Sequence, residues 1–142
     1  MKKQQGFTLI EFVAVIVVVA ILATALIVYF PKTTVQGKAV AERIASDLRY
    51  VQNVALTQEK STNIVFSSTQ YVLSDAPPTA ASTTVRVPYG SLTTGTISFD
   101  NEGLLTSGKN SVKYTMTDGS GCYTVNVSGN GTVQKPVYSS SC

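Results

Sequence analysis

Gly6-Phe7-Thr8-Leu9-Ile10-Glu11, followed by Phe12-Val13-Ala14-Val15-Ile16-Val17-Val18-Val19-Ala20 and an apolar run that continues to Phe30, sets the architecture of the whole chain. From Phe12 to Phe30 there is no charge, and Thr24 is the one hydroxyl in its middle. After Pro31 the composition becomes that of a soluble protein rich in Thr, Ser, Val and Gly. A bilayer span takes roughly 17–25 apolar residues, each adding about 1.5 Å of helix. Residues 7–30 therefore read as a membrane helix, with a water-soluble part after it. At 142 residues and 44% hydrophobic, the chain has room for one modest domain beyond that segment.

The flanks of the run narrow its meaning. Lys2 and Lys3 precede it, as expected of a cytoplasmic end under the positive-inside rule. A cleaved secretory signal would have an apolar core of about 7–15 residues and a small-residue cut site. Ala23-Thr24-Ala25 offers such a site, but the run stays apolar through Leu26-Ile27-Val28-Tyr29-Phe30 and carries Glu11 near its start. A simple uncleaved anchor fits the hydropathy and leaves Gly6 and Glu11 without a reason. A lipoprotein is excluded, because no Cys lies near the N-terminus. A carboxylate at the edge of a membrane segment costs a few kcal/mol and calls for a partner. Cleavage after Gly6 would create one: Phe7 becomes an N-terminus whose amine stands four residues before Glu11.

Lys2-Lys3, Gly6, Phe7, Glu11 and the long apolar run together resemble the N-terminal signal of type IV prepilins and of the pseudopilins of type II secretion. The resemblance implies a chain of four parts: a leader at 1–6, a transmembrane and filament-core helix at 7–30, an amphipathic helix at 31–60 and a β-rich globular domain at 61–142. A prepilin peptidase would cut between Gly6 and Phe7 and N-methylate Phe7. Glu11 would pair with the Phe7 amine of an adjacent subunit and set register during assembly. The implied partners are that peptidase, other pilin subunits, an inner-membrane assembly platform and, before assembly, the bacterial inner membrane itself. The globular domain would lie outside the cytoplasm, on a surface pilus or a periplasmic pseudopilus. One departure concerns proline. Many members kink this helix at the position held here by Val28, whereas the first proline of this chain is Pro31. A proline removes one backbone hydrogen bond and disfavours helix just before it, so a bend or end is expected nearly one turn later.

From Gly37 the pattern becomes amphipathic. Val40, Ile44, Leu48, Val51 and Ala55 recur at helical spacing, and Glu42, Arg43, Asp47, Arg49 and Gln52 fill the other positions. This predicts a helix from Gly37 to Glu59. Beyond Ser61 the signals are those of strands: 63–66 and 71–73 flanking a 67–70 hairpin loop, then 84–87, 96–99, 111–117, 122–127 and 132–137. Asn101-Glu102-Gly103, Asp118-Gly119-Ser120-Gly121 and Ser128-Gly129-Asn130-Gly131 are turn signals, and 75–84 is a connector without periodicity. The fold class is α+β, with the helix covering one face of an antiparallel sheet, the pilin arrangement. The order of helix, hairpin, variable loop, Phe99-Asp100-Asn101-Glu102-Gly103 and terminal hairpins is similar to minor pilins of the H-type pseudopilin and FimT-like group. It is also similar to minor subunits of mannose-sensitive haemagglutinin pili. The Cys122 and Cys142 pair instead resembles the disulfide-bounded region of major pilins, which carries adhesion and surface variability.

Composition excludes a good deal. There is no His, which removes His triads, His–metal sites and imidazole proton shuttles. No nucleophile–base pair and no phosphate-cradling Gly loop is present, so the reading is not an enzyme, with no cofactor and no metal. Net charge is +3; without the first six residues nine basic side chains face eight acidic ones, a sum of +1. A nucleic-acid partner is thus a secondary reading, resting on Arg86, Lys109, Lys113 and Lys135. Asp100, Glu102 and Asp118 lie near turns, where turn formation explains them better than calcium does. Asn126-Val127-Ser128 matches a glycosylation triplet, and sheet propensity and core packing explain most of the seven Tyr. Two free thiols in a reducing compartment, or an exported Cys122–Cys142 disulfide, are the alternatives for the cysteines; the membrane segment favours the second.

Overall fold

The structure is a computed structural model that describes residues 9–29, 32–75 and 83–142. The chain divides after Lys32 into two compact units. The first holds helix α1, Leu9–Tyr29. Gly6, Phe7 and Pro31 lie outside the described residues, and with them the cleavage bond and the expected bend.

The second unit holds α2 (Lys32–Gln58) from Thr33 onward; the helix starts five residues before the predicted Gly37 and ends within one residue of the expected Glu59. Its apolar face is the one that the spacing predicts. Ala41, Ile44, Ala45, Leu48, Val51 and Ala55 are essentially fully buried, and Val40 packs at the margin of the same core. Gly37 brings the backbone of the helix close to the sheet. A Cβ there would stand 2.4 Å from Met116 Sδ and 3.2 Å from the Tyr123 ring.

The β part is two antiparallel sheets rather than the single one expected. The larger has the order β3-β2-β1-β5-β6, from strands β1 (Thr62–Phe66), β2 (Gln70–Leu73), β3 (Thr84–Arg86), β5 (Gly95–Phe99) and β6 (Leu105–Gly108). The smaller has the order β4-β7-β8-β9, from β4 (Gly90–Leu92), β7 (Ser111–Met116), β8 (Cys122–Asn126) and β9 (Val137–Ser139). Strand β1 pairs β5 over Thr62↔Phe99 to Phe66↔Gly95, while the intervening β4 leaves to pair β7. Alternation along each strand directs one set of side chains inward. Ile64, Phe66, Tyr71, Leu73, Ile97 and Phe99 come from the first sheet, and Val112, Tyr114, Met116 and Val125 from the second, all into one core with α2.

Strands β4 and β6 were not expected, being three and four residues long and without clear alternation. The strand predicted at 132–137 is corrected. Only Val133 bridges to Val127, and the paired strand β9 begins at Val137, after Pro136. A proline has no N–H to give to a ladder, so regular pairing starts beyond it. The 67–70 hairpin and the turns at 101–103, 118–121 and 128–131 form where their residues predict.

Candidate functional site

In α1 one acid stands in the first turn, Glu11, and no base in the last. The large apolar side chains around it are uncovered, from 48% exposed at Val13 to 82% at Leu9. Apolar surface this continuous marks a contact surface for lipid or protein. Glu11, Ala14, Val15, Val18 and Val19 share one helical face and line a shallow groove of about 280 Å³. Ala14, one turn beyond Glu11, keeps that groove open beside the carboxylate, and a carboxylate in the first turn is favoured by the helix dipole. Among the described residues no helix is long and apolar enough to cross a membrane. The side chains described in α1 run only from 9 to 23, about 22 Å of helix against a hydrocarbon core of about 30 Å. The predicted segment 7–30 extends past them at both ends.

In the globular unit, polar residues on α2 that lie off its apolar face hold the β part in place. Tyr71 is 1% exposed and donates its phenol to Asp47 Oδ2 at 2.5 Å. Burial, then the hydrogen bond to Asp47 and its charge, push the Tyr71 phenol well above its ordinary range. Arg49 donates to the Val133 carbonyl at 3.3 Å and Gln52 to the Gly103 carbonyl at 3.0 Å. Sequence patterning identifies these side chains as non-core but is silent on their partners, because the partners are 24 to 84 residues away.

Cys122 and Cys142 are disulfide-bonded, which ties the chain beyond β9 back onto β8. Two of the basic residues named for nucleic acid make contacts within the fold. Lys109 donates to the Thr94 carbonyl, 15 residues away, and Lys113 to the Cys142 carbonyl, 29 residues away. Asp100 accepts the amides of Glu102 and Leu104, and Asp118 accepts the amide and hydroxyl of Ser120. Both are turn-forming, as expected. Among the described residues no group of three or more Cys, Asp or Glu could hold a metal.

Residues 1–27 match the family described as the prokaryotic N-terminal methylation motif. The N-terminal segment of the chain thus carries that motif. The fold is similar to that of the type IV minor pilin FimU of Pseudomonas aeruginosa strain PAO1. That likeness has a TM-score of 0.51 at 15% identity, over 70% of this chain and 87% of FimU. A second crystal form of FimU aligns at a TM-score of 0.47 with 15% identity, over 68% of this chain and 89% of that one. No curated protein matches the chain in sequence.

Proposed function

We propose that this chain is a structural subunit of a type IV pilus or related filament, made as a precursor, cut between Gly6 and Phe7 and N-methylated at Phe7. The observation that carries the reading is Glu11: one carboxylate at the head of an otherwise uncovered apolar helix face, beside the small residue Ala14. An adjacent subunit's helix would pack along Ala14, Val15 and Val18, and its Phe7 amine would neutralise Glu11. An unpaired charge in that setting is costly, so the pairing selects one register. Before assembly the same apolar run would anchor the subunit in the inner membrane, where it meets the peptidase and the assembly platform. The role is structural rather than enzymatic, as a minor or major pilin in surface attachment. A type II secretion pseudopilus is the alternative destination.

Two measurements test the reading. N-terminal mass spectrometry should find methylated Phe7; an intact Met1 or a cut near Ala25 would overturn the processing. Glu11→Ala should leave cleavage intact and sharply lower incorporation into filaments. Unchanged filament yield would remove the pairing role.

A further inference from the structure

We propose that a two-arginine groove on the globular unit receives the acidic β5–β6 turn of a second copy of this chain, joining copies head to tail; the inference rests on the filament reading above. Two adjoining cavities, of about 200 and 700 Å³, share Arg43, Arg86, Val87 and Pro88. The smaller is floored by Val40, Val85 and Val87. Arg43 comes from α2 and Arg86 from β3, the edge strand of the larger sheet, and both side chains are exposed. Arg43 stands 4.0 Å from Asp47, whose carboxylate oxygen already accepts the Tyr71 phenol. Its guanidinium also hydrogen-bonds the Tyr71 phenol, and of its five donors others stay available to a second acid.

The wall of the groove is rigid. Tyr89, next to Pro88, sits at φ 59, a conformation that costs a non-glycine residue on the order of 1 kcal/mol. It is pinned there because its carbonyl accepts the Thr117 amide at 3.1 Å and the Tyr114 phenol at 3.0 Å. The Tyr114 phenol also reaches the Pro88 carbonyl at 2.9 Å.

The opposite end of α2 has the complementary character. The β5–β6 turn lies over its last turns, where Gln52 holds the Gly103 carbonyl and Gly103 abuts Leu56. Asp100 is occupied by the turn's own amides, so Glu102 is the acid that projects. Leu56, 48% exposed, and Leu104, 39% exposed, flank it. Arg43 and Leu56 are 13 residues apart on one helix, about 20 Å along its axis. One end thus offers two cations over an apolar floor, and the other an acid between two exposed leucines. Arg43 and Gln52 are nine residues apart, about 180° around α2, and β3 and β6 are the two edges of the larger sheet. The patches therefore face opposite ways, cannot meet within one molecule and can meet between copies set side by side. An exposed ion pair alone contributes little; the leucines against the valine floor add burial, and the arginines add bidentate geometry. A contact between two different patches of identical subunits is heterologous, and where its rotation does not close a ring it repeats as a filament does.

The test uses the full-length chain, in sheared filaments and in proteoliposomes, with cysteines placed by Pro88→Cys and Leu104→Cys. Oxidation should give a ladder of cross-linked multimers, absent from either single variant. Adding Glu102→Arg should reduce the ladder at least tenfold, and Glu102→Arg combined with Arg86→Glu should bring it back. A ladder indifferent to these charges, or filaments that yield no ladder, would overturn the contact and leave the filament reading standing. A charge-dependent ladder in proteoliposomes from cells that make no filament containing the chain would support the contact and overturn the filament reading.

Discussion

Replacing Tyr71 by Phe removes one oxygen and tests how α2 is held to the larger sheet. The ring packs between the elements and against Phe66 at 5.6 Å, so the substitution leaves the apolar contacts in place. What it removes is the 2.5 Å bond to Asp47, whose side chain is only 17% exposed and is otherwise faced by Arg43 at 4.0 Å. A hydrogen bond to a charged group contributes roughly 1.5–3 kcal/mol. The expected loss for Tyr71→Phe is therefore about 2 kcal/mol, which for a unit of this size lowers Tm by about 8 °C. Urea unfolding of residues 33–142, followed by far-UV circular dichroism, measures it. A cycle with Asp47→Asn should return most of that loss as coupling between the two side chains. The same pair sets an alkaline signature. The folded phenol is held above its ordinary range, so below about pH 10 both folded and unfolded Tyr71 are protonated and its stabilisation is complete. As pH rises further, the unfolded phenol loses its proton while the folded one keeps it. Stability should then fall by about 1.4 kcal/mol per pH unit from this residue. The Tyr71→Phe curve should lack that component. A variant within about 0.5 kcal/mol of the parent, or with the same slope above pH 10, would refute the clamp.

Gly131→Ala should cost at least about 2 kcal/mol, because φ is +80 and the new Cβ would stand 2.0 Å from the Gly103 carbonyl oxygen and 2.3 Å from Gln52 Nε2; a thermal melt within 2 °C of the parent would contradict it. Leu48→Ala, at a position with no exposure, should cost about 3 kcal/mol by cavity formation, read from the urea midpoint at constant slope. Opening the disulfide by Cys122→Ala with Cys142→Ala should cost about 3 kcal/mol on chain-entropy grounds for a separation of 20 residues. Proteolysis of the oxidised and variant chains should show cleavage near Tyr138 in the variant first.

The chain sequence by itself determined the features whose cause is local. The apolar run with a lone Glu11 needs no tertiary context to be read as a contact helix, because the cost of its charge and the benefit of its burial are properties of that segment. The face Val40, Ile44, Leu48, Val51 and Ala55 follows from helical period, and the turns at 101–103, 118–121 and 128–131 from Gly, Asn and Asp. Tertiary structure alone decided how strands are shared between sheets. Strand β4 leaves the order of the chain to join β7, and β5 returns to β1, through pairings that no local pattern encodes. It also decided that Asp47, Arg49 and Gln52 clamp distant segments, and that Arg43 and Arg86, 43 residues apart, flank one groove. Local propensity and periodicity act within a few residues; these partners meet only after the core of α2 and two sheets has closed.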